Sequence, residues 1–229
     1  MALKIMDESR EESANESFHH ATKALEYAIL NGARISSHSY GILGETNCQH
    51  FSSALRTLLT KAPKHILVAA AGNDQNCNDD VPACPCNNGA PNTLCVAASN
   101  KDNKVWVDSN YGRESVHVFA PGEKIASLWA NGTEDTYVEA DGTSMAAPHV
   151  AGLAALILSI DKDLSGERVK KYILDNVQTF DQYSDWVSSG GLIDVGKTLK
   201  DLSMHCSSSF LIMHRNSSLN LTFLPLCMS

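Results

Sequence analysis

The sequence predicts an α/β fold of three layers, a mostly parallel sheet with helices on both faces, and three observations predict it. Strand-like and helix-period apolar runs alternate along the first hundred residues, and strand, helix, strand, helix, strand implies right-handed crossovers. Residues 65–71 form a nearly continuous apolar run, the pattern of a strand covered on both faces. Residues 153–160 are long-chain apolar and alanine-rich and follow directly on a tight polar turn, the pattern of a buried helix entered from a loop.

Residues 2–6 alternate and read as a short strand. An acidic loop, residues 7–16, follows. Residues 18–30 carry Phe18, Ala21, Leu25, Ala28 and Ile29 at helical spacing, and Asn31-Gly32 supplies the stop. Residues 33–39 read as a strand leading to the turn Tyr40-Gly41. A second amphipathic helix covers residues 49–62, with Phe51, Leu55, Leu58 and Leu59 on one face, and ends before Pro63. After the apolar strand 65–71, Gly72-Asn73-Asp74 ends the run and residues 74–92 form a long polar loop. Residues 94–98, 116–120, 125–130 and 136–140 are further strands, and Asn131-Gly132 between the last two is a hairpin signal. The buried helix comes next, then an amphipathic helix over residues 165–177. A last short helix, opened by residues 190–195, ends near Leu202. Residues 1–202 read as one domain and residues 203–229 as a tail without period.

At 229 residues and 43 % hydrophobic, the chain is long enough to enclose a sizeable core. A formal charge of −8 without a basic run argues against nucleic acid or an anionic membrane as partner. No apolar stretch reaches the ~20 residues that cross a bilayer, so no membrane span is expected. The first 16 residues lack the long apolar region of a signal peptide. Seven cysteines leave at least one thiol over if the others pair. Cys77, Cys84, Cys86 and Cys95 crowd one region as disulfides, free thiols or a zinc site. The Cys84-Pro85-Cys86 spacing and the lack of a nearby histidine weigh against zinc.

The chemistry centres on residues 141–152, Asp-Gly-Thr-Ser-Met-Ala-Ala-Pro-His-Val-Ala-Gly. A polar turn here delivers Ser144 to the first turn of a helix. The unpaired N–H groups and positive dipole end of that turn suit an oxygen that develops negative charge. Pro148 falls early enough in the helix for its missing N–H to cost little. The arrangement is that of a nucleophile for acyl transfer. The G-x-S-x-G elbow of α/β-hydrolases is not satisfied, because Ala146 stands at its second glycine.

The contiguous run 142–152 resembles the serine motif of the subtilisin-like serine proteases. Lys23 to Ile29, Ser39-Tyr40-Gly41, Ala69 to Asn73, Ser109-Asn110-Tyr111-Gly112, Phe119-Ala120-Pro121-Gly122 and Gly191 to Val195 are similar to successive segments of that family. Residues 2–6 resemble the strand that follows its histidine segment. The resemblance implies a serine endopeptidase acting on polypeptides. Ser144 is its nucleophile and Asn73 an oxyanion donor together with the Ser144 backbone N–H. Ser39, Tyr40 and Gly41, with Ala70, Ala71 and Gly72, form two extended edges that hold the substrate by strand addition. Asp74 reads equally as a determinant favouring a basic side chain or as a solvated loop acid. No cofactor is evident in the residues. The resemblance implies calcium as the cofactor to expect, secretion, and a propeptide in the full-length protein. The sequons at Asn131, Asn216 and Asn220 matter only in a secretory compartment.

A serine protease also requires a general base and an acid that orients it. None of the nine histidines is followed by glycine, so the family's His-Gly-Thr-His pattern is absent, as is its Asp-Ser/Thr-Gly pattern. His149 lies five residues beyond Ser144, about 140° past one full helical turn, and faces away from it. The expectation is a portion of a peptidase domain whose acid and base precede Met1, with strand 65–71 near an unpaired edge and the chain by itself inactive. The competing expectation is a non-catalytic peptide-binding homologue.

Overall fold

The structure, a computed structural model, describes residues 1–3, 5, 14–130 and 135–204. Its centre is a six-stranded sheet built from β1 (Ile35–His38), β3 (Ile66–Ala70), β5 (Thr93–Ser99), β6 (Val118–Pro121), β10 (Gly191–Leu192) and β9 (Gln178–Thr179), in that order across the sheet. All neighbours run parallel except β9 against β10. Two small antiparallel pairs stand outside it: β2 (Ile42–Leu43) with β4 (Ala83–Cys84), and β7 (Ile125–Ala130) with β8 (Asp135–Ala140).

The strand alternation produces the layers. Every residue of β3 is buried. Ile66, Val68 and Ala70 face α3 (Thr143–Ile160), α4 (Gly166–Asp175) and the helical residues 195–204. Leu67 and Ala69 face α1 (Ala14–Leu30) and α2 (Glu45–Lys61), meeting Leu25, Leu55 and Leu59. A sheet covered on both sides can be apolar throughout, which is the reason for the unbroken run. At the far side, Phe119 of β6 is fully buried and stacks on Tyr183 with ring centroids 4.2 Å apart. α3 is long and apolar enough by composition to span a bilayer, and its buried stripe from Ala146 to Ile157 lies on the sheet.

The three-layer α/β expectation matches this architecture, with local differences. α2 begins at Glu45 rather than Gln49, and α1 at Ala14 rather than Phe18. Of the strand expected over residues 2–6, Ala2, Leu3 and Ile5 join no ladder, and Lys4 and Met6 lie outside the described residues. Met1, Leu3 and Ile5 instead line a cavity of about 290 Å³ shared with Ile35, Ser36 and His38, which separates them from β1. β3 lies one strand in from an edge, near the edge as expected. β1 and β5 flank it, and β1 is the outer strand. The turn at Asn131-Gly132 and the tail after Met204 lie outside the described residues, although β7 and β8 pair as an antiparallel ladder from Ile125↔Ala140 to Ala130↔Asp135.

The cysteines resolve in favour of disulfides. Cys48 pairs with Cys84 and Cys86 with Cys95, tying α2 and β5 to the loop 74–92, while Cys77 is free. Arg34, just ahead of β1, donates to the carbonyls of Lys64, Lys162 and Leu164, fixing the start of the edge strand to the α3–α4 connection.

Candidate active site

A cleft of about 570 Å³ opens at the C-terminal ends of β1 and β3, the usual position for a ligand in a parallel sheet. Ser39, Tyr40, Gly41, Ala70, Ala71, Gly72, Asn73, Asp74 and Ser144 all line it, so the structure brings every sequence-derived candidate together. Ile42, Leu43, Ala83, Cys84 and Thr143 complete the lining and were not anticipated. The first four belong to β2 and β4, whose two-residue length leaves no periodic signal.

Thr143 holds Asn73. The Thr143 N–H and hydroxyl both donate to Asn73 Oδ1, at 2.9 and 2.8 Å. A backbone N–H can only donate, so the atom facing it is the oxygen and the Asn73 NH₂ is turned away from Thr143. The Thr143 hydroxyl in turn accepts from Gly72 N–H at 3.1 Å. Thr143 is fully buried, and one side chain thus couples the end of β3 to the start of α3. Two glycines permit the approach. Gly142, the N-cap, has φ +143°, and a Cβ there would meet Asn73 Nδ2 at 3.2 Å. Gly72 has φ +113°, and a Cβ there would overlap the Asn110 amide. Asn110 is buried and braces the turn after Asn73, accepting from Asp74 N–H and Asn76 N–H and donating to the Ala71 carbonyl.

Ser144 is half-buried in the first turn of α3, and its hydroxyl donates to the Ser39 carbonyl at 3.3 Å. Pro148 has a consequence its position in the sequence did not suggest. It lies inside α3, where its nitrogen should donate to the Ser144 carbonyl four residues back. The proline ring removes that donor. The Ser39 hydroxyl takes its place, donating to the Ser144 carbonyl at 2.8 Å. The orphaned acceptor is thereby satisfied, and the serine residue is tied to the end of β1 through both its main chain and its side chain.

No described histidine hydrogen-bonds to the Ser144 hydroxyl. His149 is exposed and bonds the Met145 carbonyl at 2.9 Å, as its angular offset from Ser144 requires. His19 and His20 are exposed on α1. His38 lies near the cleft, but both of its ring nitrogens are engaged. The His65 Nδ1–H donates to the Ala33 carbonyl, which leaves His65 Nε2 to accept from the Ser36 hydroxyl. Ser36 Oγ then accepts from His38 Nε2–H, and His38 Nδ1 accepts from the Tyr40 hydroxyl at 2.7 Å. The terminal carbonyl thus sets every proton along the chain. Burial pushes the His38 imidazole down to about 3, with a further contribution from His65, and burial raises the Tyr40 phenol. His38 is therefore neutral and positions Tyr40 at the cleft wall. Tyr40→Phe is expected to cost roughly 1–2 kcal/mol by leaving His38 Nδ1 without its donor. A urea titration checks this, and an unchanged midpoint would refute the chain's structural role.

Among the described residues no group of three or more His, Cys, Asp or Glu side chains is placed to hold a metal ion. The calcium that the resemblance implies takes carboxylate, amide and carbonyl oxygens, and among the described residues no carboxylate cluster marks its place.

A parallel α/β sheet with a serine at a helix start beside an asparagine amide defines the class, and comparison with known proteins agrees with it. The model of the Subtilase family matches residues 4–199, and the chain belongs to that family. It is 38 % identical over 141 residues to Subtilisin-like protease 2 of Plasmodium falciparum, covering 62 % of this chain and 10 % of that protein. It is 35 % identical over 159 residues to Subtilisin E of Bacillus subtilis, covering 69 % of this chain and 38 % of that protein. The chain thus spans well under half the length of these relatives. Among solved structures, the prenylagaramide maturation protease PagA superposes with a TM-score of 0.67 at 26 % identity, over 84 % of this chain and 70 % of that one. The self-cleaved protease domain of PatA gives 0.68 at 25 % identity, over 86 % and 71 %.

Proposed function

We propose that this chain supplies the nucleophile and oxyanion half of a serine endopeptidase, residues 1–202 forming a partial subtilisin-like domain. The observation that carries the reading is the Asn73–Thr143 grip. It turns a carboxamide NH₂ away from Thr143 within the cleft that holds Ser144, with both groups set before any substrate arrives. In the reaction the Ser144 oxygen attacks the carbonyl carbon of a peptide bond, and the carbonyl oxygen gains the charge. That charge is met by the Asn73 NH₂ and the Ser144 backbone N–H, which by helix geometry lacks an intrahelical acceptor. Ser39 to Gly41 and Ala70 to Gly72 hold the polypeptide substrate as an added strand. Asp74 on the cleft rim favours a basic side chain there.

The proton of Ser144 requires a base, and among the described residues the group to which it is donated is the Ser39 carbonyl. The Ser39 carbonyl that receives it is an amide oxygen, too weakly basic to generate an alkoxide. The base and its orienting acid come from a segment bearing the His-Gly-Thr-His and Asp-Ser/Thr-Gly patterns, outside the 229 residues. The two disulfides support a secretory location, because such bonds persist in oxidising compartments.

A fluorophosphonate probe tests the proposal. The 229-residue chain alone is expected to leave Ser144 unlabelled. A form extended by the two missing motifs is expected to label, and to lose the label in Ser144→Ala. Labelling of the chain alone would overturn the missing-base account. An extended form that binds peptide without labelling would establish the non-catalytic homologue instead.

A further inference from the structure

At the opposite end of the sheet from the cleft, a second cavity of about 430 Å³ lies beside the start of β5. Lys170 of α4 and His117 border it, with Asp79, Glu114 and Ser115 among the residues on its rim. The protons of this pair are fixed by their neighbours. The Cys95 backbone N–H points at His117 Nδ1 at 2.9 Å and can only donate, so Nδ1 carries a lone pair. In the neutral ring the proton is then on Nε2, and Nε2 lies 2.7 Å from Lys170 Nζ. An ammonium group has donors only, and two donors cannot share that contact. An uncharged amine can. It accepts from His117 Nε2–H with its lone pair while one of its own hydrogens donates to the Thr93 carbonyl at 2.7 Å.

We propose that Lys170 is a reactive amine that forms an imine with a small uncharged aldehyde entering this cavity. The lone pair adds to the carbonyl carbon, the two nitrogen hydrogens and the carbonyl oxygen leave as water, and a C=N bond replaces C=O. No redox partner is needed. Burial lowers Lys170 to about 8, the Glu167 charge acting in the opposite direction. At pH 7.5 the uncharged fraction then exceeds that of an ordinary lysine by about 100-fold or more. Burial also pushes His117 down to about 3, with Lys170 adding to the effect, so the ring stays neutral over the same range. The rim is acidic. Asp79 accepts from Glu114 N–H, Ser115 N–H and the Ser115 hydroxyl. Burial alone would raise its carboxyl, but those hydrogen bonds hold it below the ordinary range and keep it charged. An uncharged aldehyde therefore enters more readily than an anionic one. The site is separate from Ser144 and does not depend on the peptidase reading.

The test is competitive labelling of the 229-residue chain with limiting glycolaldehyde and cyanoborohydride, mapped lysine by lysine by mass spectrometry. At pH 7.5 Lys170 is expected to label at least about tenfold faster than exposed Lys101 and Lys171, and the advantage is expected to vanish near pH 10.5. Equal or slower labelling at pH 7.5 would overturn the proposal. Glyoxylate is expected to show a several-fold smaller preference for Lys170, and an undiminished one would remove the acidic-rim selectivity. His117→Asn keeps an acceptor for Cys95 N–H but removes the Nε2–H, and is expected to reduce the preference several-fold, burial sustaining the remainder. A preference unchanged in that variant would overturn the part assigned to His117.

Discussion

Replacing Asn73 by alanine, in a form of the protein that carries a complete catalytic triad, is expected to lower kcat by about 10²–10³ with little change in KM. That is the range known for removing this type of donor from subtilisin, a relative of this chain. The reasoning is geometric. The Asn73 oxygen is occupied by the Thr143 main chain and hydroxyl, so its NH₂ has one orientation and no reorganisation is needed when charge develops. Asn73→Asp sharpens the test. An aspartate keeps both bonds from Thr143 through one carboxylate oxygen, so the loop and the start of α3 hold their places. Its second oxygen replaces the donor with negative charge beside the oxyanion, and the loss is expected to exceed that of alanine. Circular dichroism and a urea midpoint close to wild type would accompany it. Activity of Asn73→Asp within tenfold of wild type would show that Asn73 serves the turn and not the reaction. Thr143→Val, which removes the hydroxyl that donates to Asn73 and accepts from Gly72 N–H, is expected to fall between wild type and Asn73→Ala.

The layers were legible because the sheet is covered on both faces, which writes itself as the unbroken apolar run at residues 66–70. The apolar run 153–160 marked α3 as a helix, but it read as buried throughout, whereas α3 buries one stripe on the sheet and leaves Leu156 and Ile160 exposed. Ser144 and Asn73 were legible through the resemblance of the segments around them, not through spacing, since 71 positions separate them. What sequence did not reveal depends on contacts between distant segments. The Ser39 hydroxyl replaces the donor that Pro148 lacks, and neither residue announces the other. Thr143 reads as part of a motif, while its role in turning the Asn73 amide appears only when β3 and α3 meet. β2 and β4 are too short for any period, yet they wall the cleft with Cys84, which a disulfide from α2 holds in place. Residues 2–6 alternate as a strand would, but Ile5 packs on the α1–α2 side of the core and a cavity intervenes before β1. Alternation marks a chain able to join a sheet. Whether it does depends on a free neighbouring edge within reach.

Lowering the pH from 7 to 5 is expected to destabilise the protein by several kcal/mol, well before its carboxylates are protonated. Two buried histidines drive this. His38, between Tyr40 and Ser36 and facing His65, is pushed down to about 3 by burial, and His117, between Cys95 N–H and Lys170, is pushed equally far. Their ordinary value is near 6.5. Between about pH 6.5 and 3 the unfolded chain therefore binds two protons that the folded chain refuses. Stability rises with pH wherever the unfolded state binds more protons. The contribution is complete above pH 6.5 and is lost as pH falls toward the folded values, by at most about 1.4 kcal/mol per histidine per unit. His65, also lowered chiefly by burial, acts in the same direction. Asp79 enters only below pH 4, and Lys170 adds stability only from about pH 8 upward, so neither accounts for a change between 7 and 5. Urea midpoints measured at pH 7, 6 and 5 provide the check, with the steepest fall expected between 6 and 5. In His117→Asn the slope is expected to fall by about a third to a half, because one of the refused protons has no site. Midpoints that stay level from pH 7 to 5 would mean that water reaches both imidazoles and that the chain from Tyr40 to Ala33 is not closed to it.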